Sequence, residues 1–196
     1  MYFDGPTWIA VTYAAWFVTM AYFVVSMFTA RRIAQREAAP RRLLDIALIW
    51  GGYLLIFFQA SPQAAWNAAY FVSPAWRHPL GVVGAALALA GLAFTCWSRA
   101  VLGQYWSGTV ALKADHKLIQ SGPYRFVRHP LYTGLMTATL GTALSVGLWR
   151  TLAGAALLWI AFLSRAHRED ALLSGQFGEQ FTAYQSRSGR LLPRFR

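Results

Sequence analysis

The chain has 196 residues, of which 57% are apolar and only 13% charged. A soluble domain carries about 25% charged residues, so this composition excludes an ordinary soluble globule and predicts a helical membrane protein. The net charge of +11 flanks apolar runs instead of forming one basic face, which assigns it to anionic lipid headgroups and not to nucleic acid.

Taken in chain order, residues 5–30, 46–76, 79–98, 130–149 and 151–164 contain no Asp, Glu, Lys or Arg. A helix needs about 17–25 apolar residues to cross the hydrocarbon core. The first three runs meet that length, and the last two form a tight hairpin split at Arg150 with Gly147 nearby. The prediction is an all-α polytopic membrane protein with about five transmembrane helices, near residues 7–30, 44–61, 79–98, 130–146 and 149–165. The first span is too long for a signal-peptide core and has no basic region before it, so it is expected to be retained. Residues 61–78, with Trp66, Tyr70, Phe71 and Trp76, read as an aromatic belt along the outer interface. Residues 166–187 read as an amphipathic helix on the bilayer, because Leu173, Phe177, Phe181 and Tyr184 recur on one face.

The basic residues divide unevenly between the two sides of this arrangement. All but Arg77 and Arg150 of the 18 Lys and Arg residues fall after span one, between spans three and four, or after span five. The positive-inside rule then places the N-terminus outside and the C-terminus in the cytoplasm. The chain reads as one domain, 1–196. Residues 7–98 hold the first three spans, 99–129 a cytoplasmic segment, 130–165 the hairpin and 166–196 the C-terminal helix and tail. The Ala- and Arg-rich composition suggests a bacterial inner membrane. The single cysteine, Cys96, excludes an internal disulfide and a cysteine zinc site. His116, His129 and His167 have no recognised ligand spacing, so no metal is expected.

Ionisable groups at a membrane boundary mark a site. One cluster runs from His116, Lys117, Leu118 and Ile119 through Tyr124 to His129, Pro130, Leu131 and Tyr132. A second is Arg165, Glu169 and Asp170. A short hairpin brings the residue entering span four near the residue leaving span five, so His129 and Arg165 are expected to be neighbours. Arg165 and Glu169 share a helix face, where an ordinary i,i+4 ion pair is the simplest arrangement. Arg77-His78-Pro79-Leu80 repeats the letters of Arg128-His129-Pro130-Leu131, but on the opposite membrane face and without the other polar groups.

Gly103-Gln104-Tyr105-Trp106-Ser107-Gly108, Asp115-His116-Lys117-Leu118, Gly122-Pro123-Tyr124-Arg125 and Arg128-His129-Pro130-Leu131-Tyr132-Thr133-Gly134 stand in order. They are followed by Arg165, Glu169-Asp170, Leu173, Phe177-Gly178, Tyr184 and Leu192-Pro193. This series, over residues 99–193, resembles the isoprenylcysteine carboxyl methyltransferase family. The resemblance implies an S-adenosylmethionine-dependent membrane enzyme. It would methylate the carboxylate of an isoprenylated cysteine or a similar lipophilic acid. It also implies that His116, Lys117, Leu118, Ile119, Tyr124, His129, Pro130, Leu131, Tyr132 and Glu169 contact the cofactor and that Arg165 addresses the acceptor carboxylate. The family often has two adjacent glutamates where this chain has Glu169-Asp170, which leaves the part played by Asp170 open. The expected partners are a lipophilic small-molecule or lipidated-peptide acceptor and membrane lipids. Two other activities share parts of the pattern: methylation of a phospholipid amine, and reduction by a sterol-reductase-like enzyme using NADPH.

Overall fold

The structure, a computed structural model, describes residues 7–29, 33–36, 39–58, 70–113 and 117–194. The helices are α1 (Thr7–Met27), α2 (Ala39–Phe57), α3 (Pro74–Leu102), α4 (Pro130–Val146), α5 (Trp149–Phe177) and α6 (Glu179–Arg187). Two short strands, β1 (Ile33–Arg36) and β2 (Ala111–Lys113), pair antiparallel with Ile33 opposite Lys113. The expected all-α architecture holds among the described residues apart from this short ladder, which ties the α1–α2 connection to the segment after α3. Neither strand has the alternating apolar pattern that would announce it.

Two described helices are long and apolar enough to cross a membrane: Thr7–Met27, and α3 with the 3₁₀ turn that follows it, Pro74–Tyr105. Beside an apolar core around Trp16, Ile56, Leu92 and Leu158, large apolar side chains face outward and hydroxyls inward. Phe17, Val18, Val25, Trp50 and Val83 are exposed, whereas Thr12, Thr95, Thr139, Thr142 and Thr151 are fully buried. In lipid a hydroxyl must find a partner within the bundle. Thr12 donates to the Trp8 carbonyl at 2.8 Å, Thr95 to that of Gly91 at 2.8 Å, and Trp16 donates to Thr142 at 2.8 Å.

Small residues set how the helices meet. A methyl placed on Gly91 would stand 2.5 Å from the Ala138 amide nitrogen, and one on Gly154 would stand 2.7 Å from the Gly52 carbonyl oxygen. Backbones approach that closely only without a Cβ. Gly84 faces Ser145, Gly91 faces Ala138 and Gly134 faces Thr95, so α3 and α4 run antiparallel. Gly52 faces Leu158 and Gly154 faces Ile56, which makes the α2–α5 seam antiparallel as well. The α4–α5 hairpin turns at Gly147, whose φ of 76° and ψ of 13° lie in the left-handed region that glycine reaches without strain.

Three expected boundaries change. Helix α3 begins at Pro74, so Trp76, Arg77 and His78 belong to it. Pro79 is the sixth residue of this helix and lies inside it, so the Ala75 carbonyl lacks its i→i+4 amide donor. Trp66 and its neighbours at 59–69 lie outside the described residues. The fifth helix does not stop at 165 but continues to Phe177, and Gly178, at φ 49°, separates it from α6. The 166–187 segment is therefore the end of α5 plus α6. It is not one continuous amphipathic helix, and Phe181 and Tyr184 are buried against protein at 0% and 2% exposure. Tyr184 donates to the Tyr124 carbonyl at 2.6 Å, so its face is turned onto the loop before α4.

Candidate active site

The entrance to α4 is built by a strap from the C-terminus. Gly189 N–H donates to the Phe126 carbonyl at 3.0 Å, Arg128 N–H to the Gly189 carbonyl at 2.8 Å and His129 N–H to the Arg190 carbonyl at 3.0 Å. Thr133 closes the strap by donating to the Leu191 carbonyl at 2.6 Å. His129 is the N-cap of α4 and Pro130 its first residue, a place where the ring clashes with nothing.

This holds His129 against the end of α5. Its Nε2 is 2.7 Å from Asp170 Oδ1 and its Nδ1 is 3.3 Å from Glu169 Oε2. A neutral imidazole donates from one nitrogen only, so two carboxylate partners suit the imidazolium. Burial alone would lower the His129 pKa, but hydrogen bonds to Asp170 and Glu169 outweigh it and raise the pKa. Asp170 also receives Arg128 at 3.3 and 3.2 Å and Arg190 at 2.8 Å. Burial would push its pKa up, yet the hydrogen bonds from His129, Arg128 and Arg190 hold it far below the ordinary carboxylate range. Asp170, whose part the sequence left open, is thus the hub of the cluster.

Glu169 is the partly open member, with its side chain 26% exposed. Tyr132 donates to its Oε1 at 2.5 Å. The Tyr132 ring stacks on His129 at 5.8 Å and on Phe162 at 5.5 Å, which orders the groups in one column. Tyr124 and Tyr184 stay phenolic, because burial raises both pKa values.

Arg165 does not form the expected i,i+4 pair with Glu169. Its Nε donates to Asp45 Oδ2 at 2.9 Å and its terminal NH1 to the Gly108 carbonyl at 3.1 Å. Arg168 also donates to Asp45 Oδ2. Asp45, on α2, was missed in the sequence. It is a single carboxylate at the edge of an uncharged run, and that was the signal that could have found it.

These groups share a cavity of ≈ 1160 Å³. Lys117, Leu118, Ile119, Tyr124, His129, Leu131, Tyr132, Arg165 and Glu169 all line it. The structure therefore brings the two sequence clusters together, His129 and Arg165 included. Pro130 is fully buried behind the wall, and His116 lies outside the described residues. From this polar end the cavity runs between α1 and α2, along Trp16, Phe23, Ile49, Tyr53 and Phe57. His78 is elsewhere, edge-on to Trp8 with ring centroids 4.9 Å apart.

Residues 83–175 match the family model for the isoprenylcysteine carboxyl methyltransferase (ICMT) family. That segment, 93 of the 196 residues, is similar to the family over just under half of the chain. The chain is 38% identical over 88 residues to the protein-S-isoprenylcysteine O-methyltransferase of Schizosaccharomyces pombe, covering 43% of this chain and 37% of that one. It is 33% identical over 73 residues to protein-S-isoprenylcysteine O-methyltransferase B of Arabidopsis thaliana, covering 37% of each. The chain thus spans little more than a third of the curated relatives it matches. The solved structure of the eukaryotic intramembrane Ras methyltransferase ICMT superposes with a TM-score of 0.55 at 22% identity, over 80% of this chain and 53% of that one. The ICMT fold accordingly extends beyond the matched segment to most of this chain. Every predicted contact residue lies inside 83–175, and Asp45 lies outside it.

Proposed function

We propose that this protein is an integral membrane carboxyl O-methyltransferase that transfers the methyl group of S-adenosylmethionine to an isoprenylated cysteine or a similar lipophilic acid. The observation that carries this reading is the single cavity joining an apolar cleft between α1 and α2 to Arg165 and Glu169. An acceptor with a hydrocarbon tail and a carboxylate head has that polarity.

The residues present fit the cofactor. Tyr124 and Trp106 give the cavity aromatic walls that suit a sulfonium cation, Trp106 with Arg99 already over one face of its ring at 4.6 Å, and Glu169 offers a partly open carboxylate. Bound S-adenosylmethionine supplies an already activated methyl group. The acceptor carboxylate is ionised near pH 7, so the chain need supply no general base. Its residues instead position and exclude water. Arg165 holds the acceptor head, Tyr132 and His129 hold Glu169, and the aromatic lining keeps the site dry.

Binding of S-adenosylmethionine against NADPH to the purified protein tests the reading. Binding of S-adenosylmethionine together with a base-labile methylated product is the expected result. NADPH binding alone would replace it with a reductase, and a base-stable N-methyl product with an amine methyltransferase. Within the reading, His129→Ala should weaken S-adenosylmethionine binding by roughly 10-fold or more, because Glu169 loses a charge-assisted bond. His78→Ala should leave binding unchanged, and equal losses would overturn the assignment of the His129 turn.

The reading also carries five spans and an outside N-terminus, in a bacterial inner membrane, with the cavity's polar end facing the cytoplasm. The uneven distribution of Lys and Arg supports that orientation. A cysteine introduced at Gln63 should label in intact cells and one at Gln35 only after permeabilisation. The reverse pattern would turn the site away from the cytoplasm.

A further inference from the structure

Resting on the proposed function, the geometry points to Asp45 as the positioning residue for Arg165, one that decides which nitrogens of the guanidinium meet the acceptor carboxylate. Asp45 is 2% exposed, in the second turn of α2, and no charged residue follows it in that helix down to Phe57. A carboxylate buried there is costly unless paired. Arg165 and Arg168, both on α5, converge on the same oxygen, Oδ2.

The seam between α2 and α5 sets this meeting. Gly154 packs on Ile56 and Gly52 on Leu158, and the same antiparallel register continued toward the N-terminus of α2 brings Asp45 opposite Arg165. The carboxylate is therefore held by helix backbones at close approach, not by a loop.

A guanidinium can grip a carboxylate side-on, through Nε and one terminal nitrogen, or end-on, through both terminal nitrogens. Asp45 occupies Nε at 2.9 Å and so closes the side-on fork. The Gly108 carbonyl at 3.1 Å fixes the plane through NH1. An acceptor carboxylate entering the cavity meets the terminal nitrogens. Arg168 shares the same Asp45 oxygen, so the carboxylate is not engaged by Arg165 alone. An ion pair serving only the α2–α5 seam would have no reason to include a residue that lines the cavity, as Arg165 does.

The test uses the purified full chain, S-adenosylmethionine and N-acetyl-S-farnesylcysteine as the acceptor probe. Asp45→Asn should lower kcat by about 10- to 100-fold through misorientation of Arg165. The acceptor KM should not rise, since Arg165 retains its charge, and S-adenosylmethionine affinity should stay within roughly 2-fold. In an Arg165→Ala background, Asp45→Asn should add no further loss, because it acts through Arg165. Full kcat in folded Asp45→Asn, or losses that multiply in the double variant, would overturn the inference. If Asp45→Asn does not fold, Asp45→Glu decides. It keeps the charge but moves the carboxylate by roughly 1.5 Å, so a lowered kcat supports the positioning part and an unchanged kcat rejects it. Wild-type protein that neither binds S-adenosylmethionine nor methylates the probe would reject the proposed function itself, a result read before any variant is compared.

Discussion

Asp170→Asn is expected to lower the stability of the protein by about 3–5 kcal/mol, seen as an earlier unfolding midpoint in detergent. Asp170 is the carboxylate on which His129, Arg128 and Arg190 meet, and its side chain is 5% exposed. Arg128, at 9%, and His129, at 4%, would then be buried cations without that partner. The cluster also sets a pH window. The raised pKa of His129 gives stability that is complete below about pH 6.5 and is lost as pH rises through the folded-state value. The depressed pKa of Asp170 gives stability present above about pH 3.9 and lost as pH falls through its folded-state value. In the variant the alkaline limb should move to lower pH, because His129 keeps only Glu169. An unfolding midpoint and pH profile identical to those of the wild type would show that the cluster does not hold the α4–α5 junction.

Arg165→Ala should lower kcat/KM for the carboxylate acceptor by roughly 10- to 150-fold, the equivalent of one lost hydrogen bond to a charged group. Lysine should restore little, since it keeps the charge but not the planar fork that Asp45 and Gly108 orient. The fold should survive, because Arg168 still donates to Asp45 and leaves no bare buried carboxylate. Affinity for S-adenosylmethionine should change little. Glu169→Gln should do the opposite, weakening cofactor binding while Arg165 remains in place. Full turnover by folded Arg165→Ala would reject a carboxylate acceptor and favour an amine.

The sequence by itself set the expectation of a membrane setting and named most of the polar and aromatic residues that meet at the polar end of the cavity. Uncharged runs have one stable disposition in lipid, and the ordered glycine, proline, histidine and tyrosine motifs of 103–193 carried the family resemblance. It also predicted that His129 and Arg165 would approach, because a hairpin turning near Gly147 leaves no other arrangement. What only the tertiary structure decided is which charges pair. Local spacing offered Glu169 to Arg165, four residues away on the same face, but Glu169 is taken by Tyr132 and His129. Arg165 reaches instead across 120 positions to Asp45. The reason is that a helix period describes one helix alone, whereas this pairing depends on the register between two. That register is set by Gly52 and Gly154, whose missing side chains let α2 and α5 close to backbone contact. The fate of the C-terminal apolar face was decided in the same way. Its spacing is equally compatible with lipid or protein, and the break at Gly178 turns Phe181 and Tyr184 inward onto the loop that carries Tyr124.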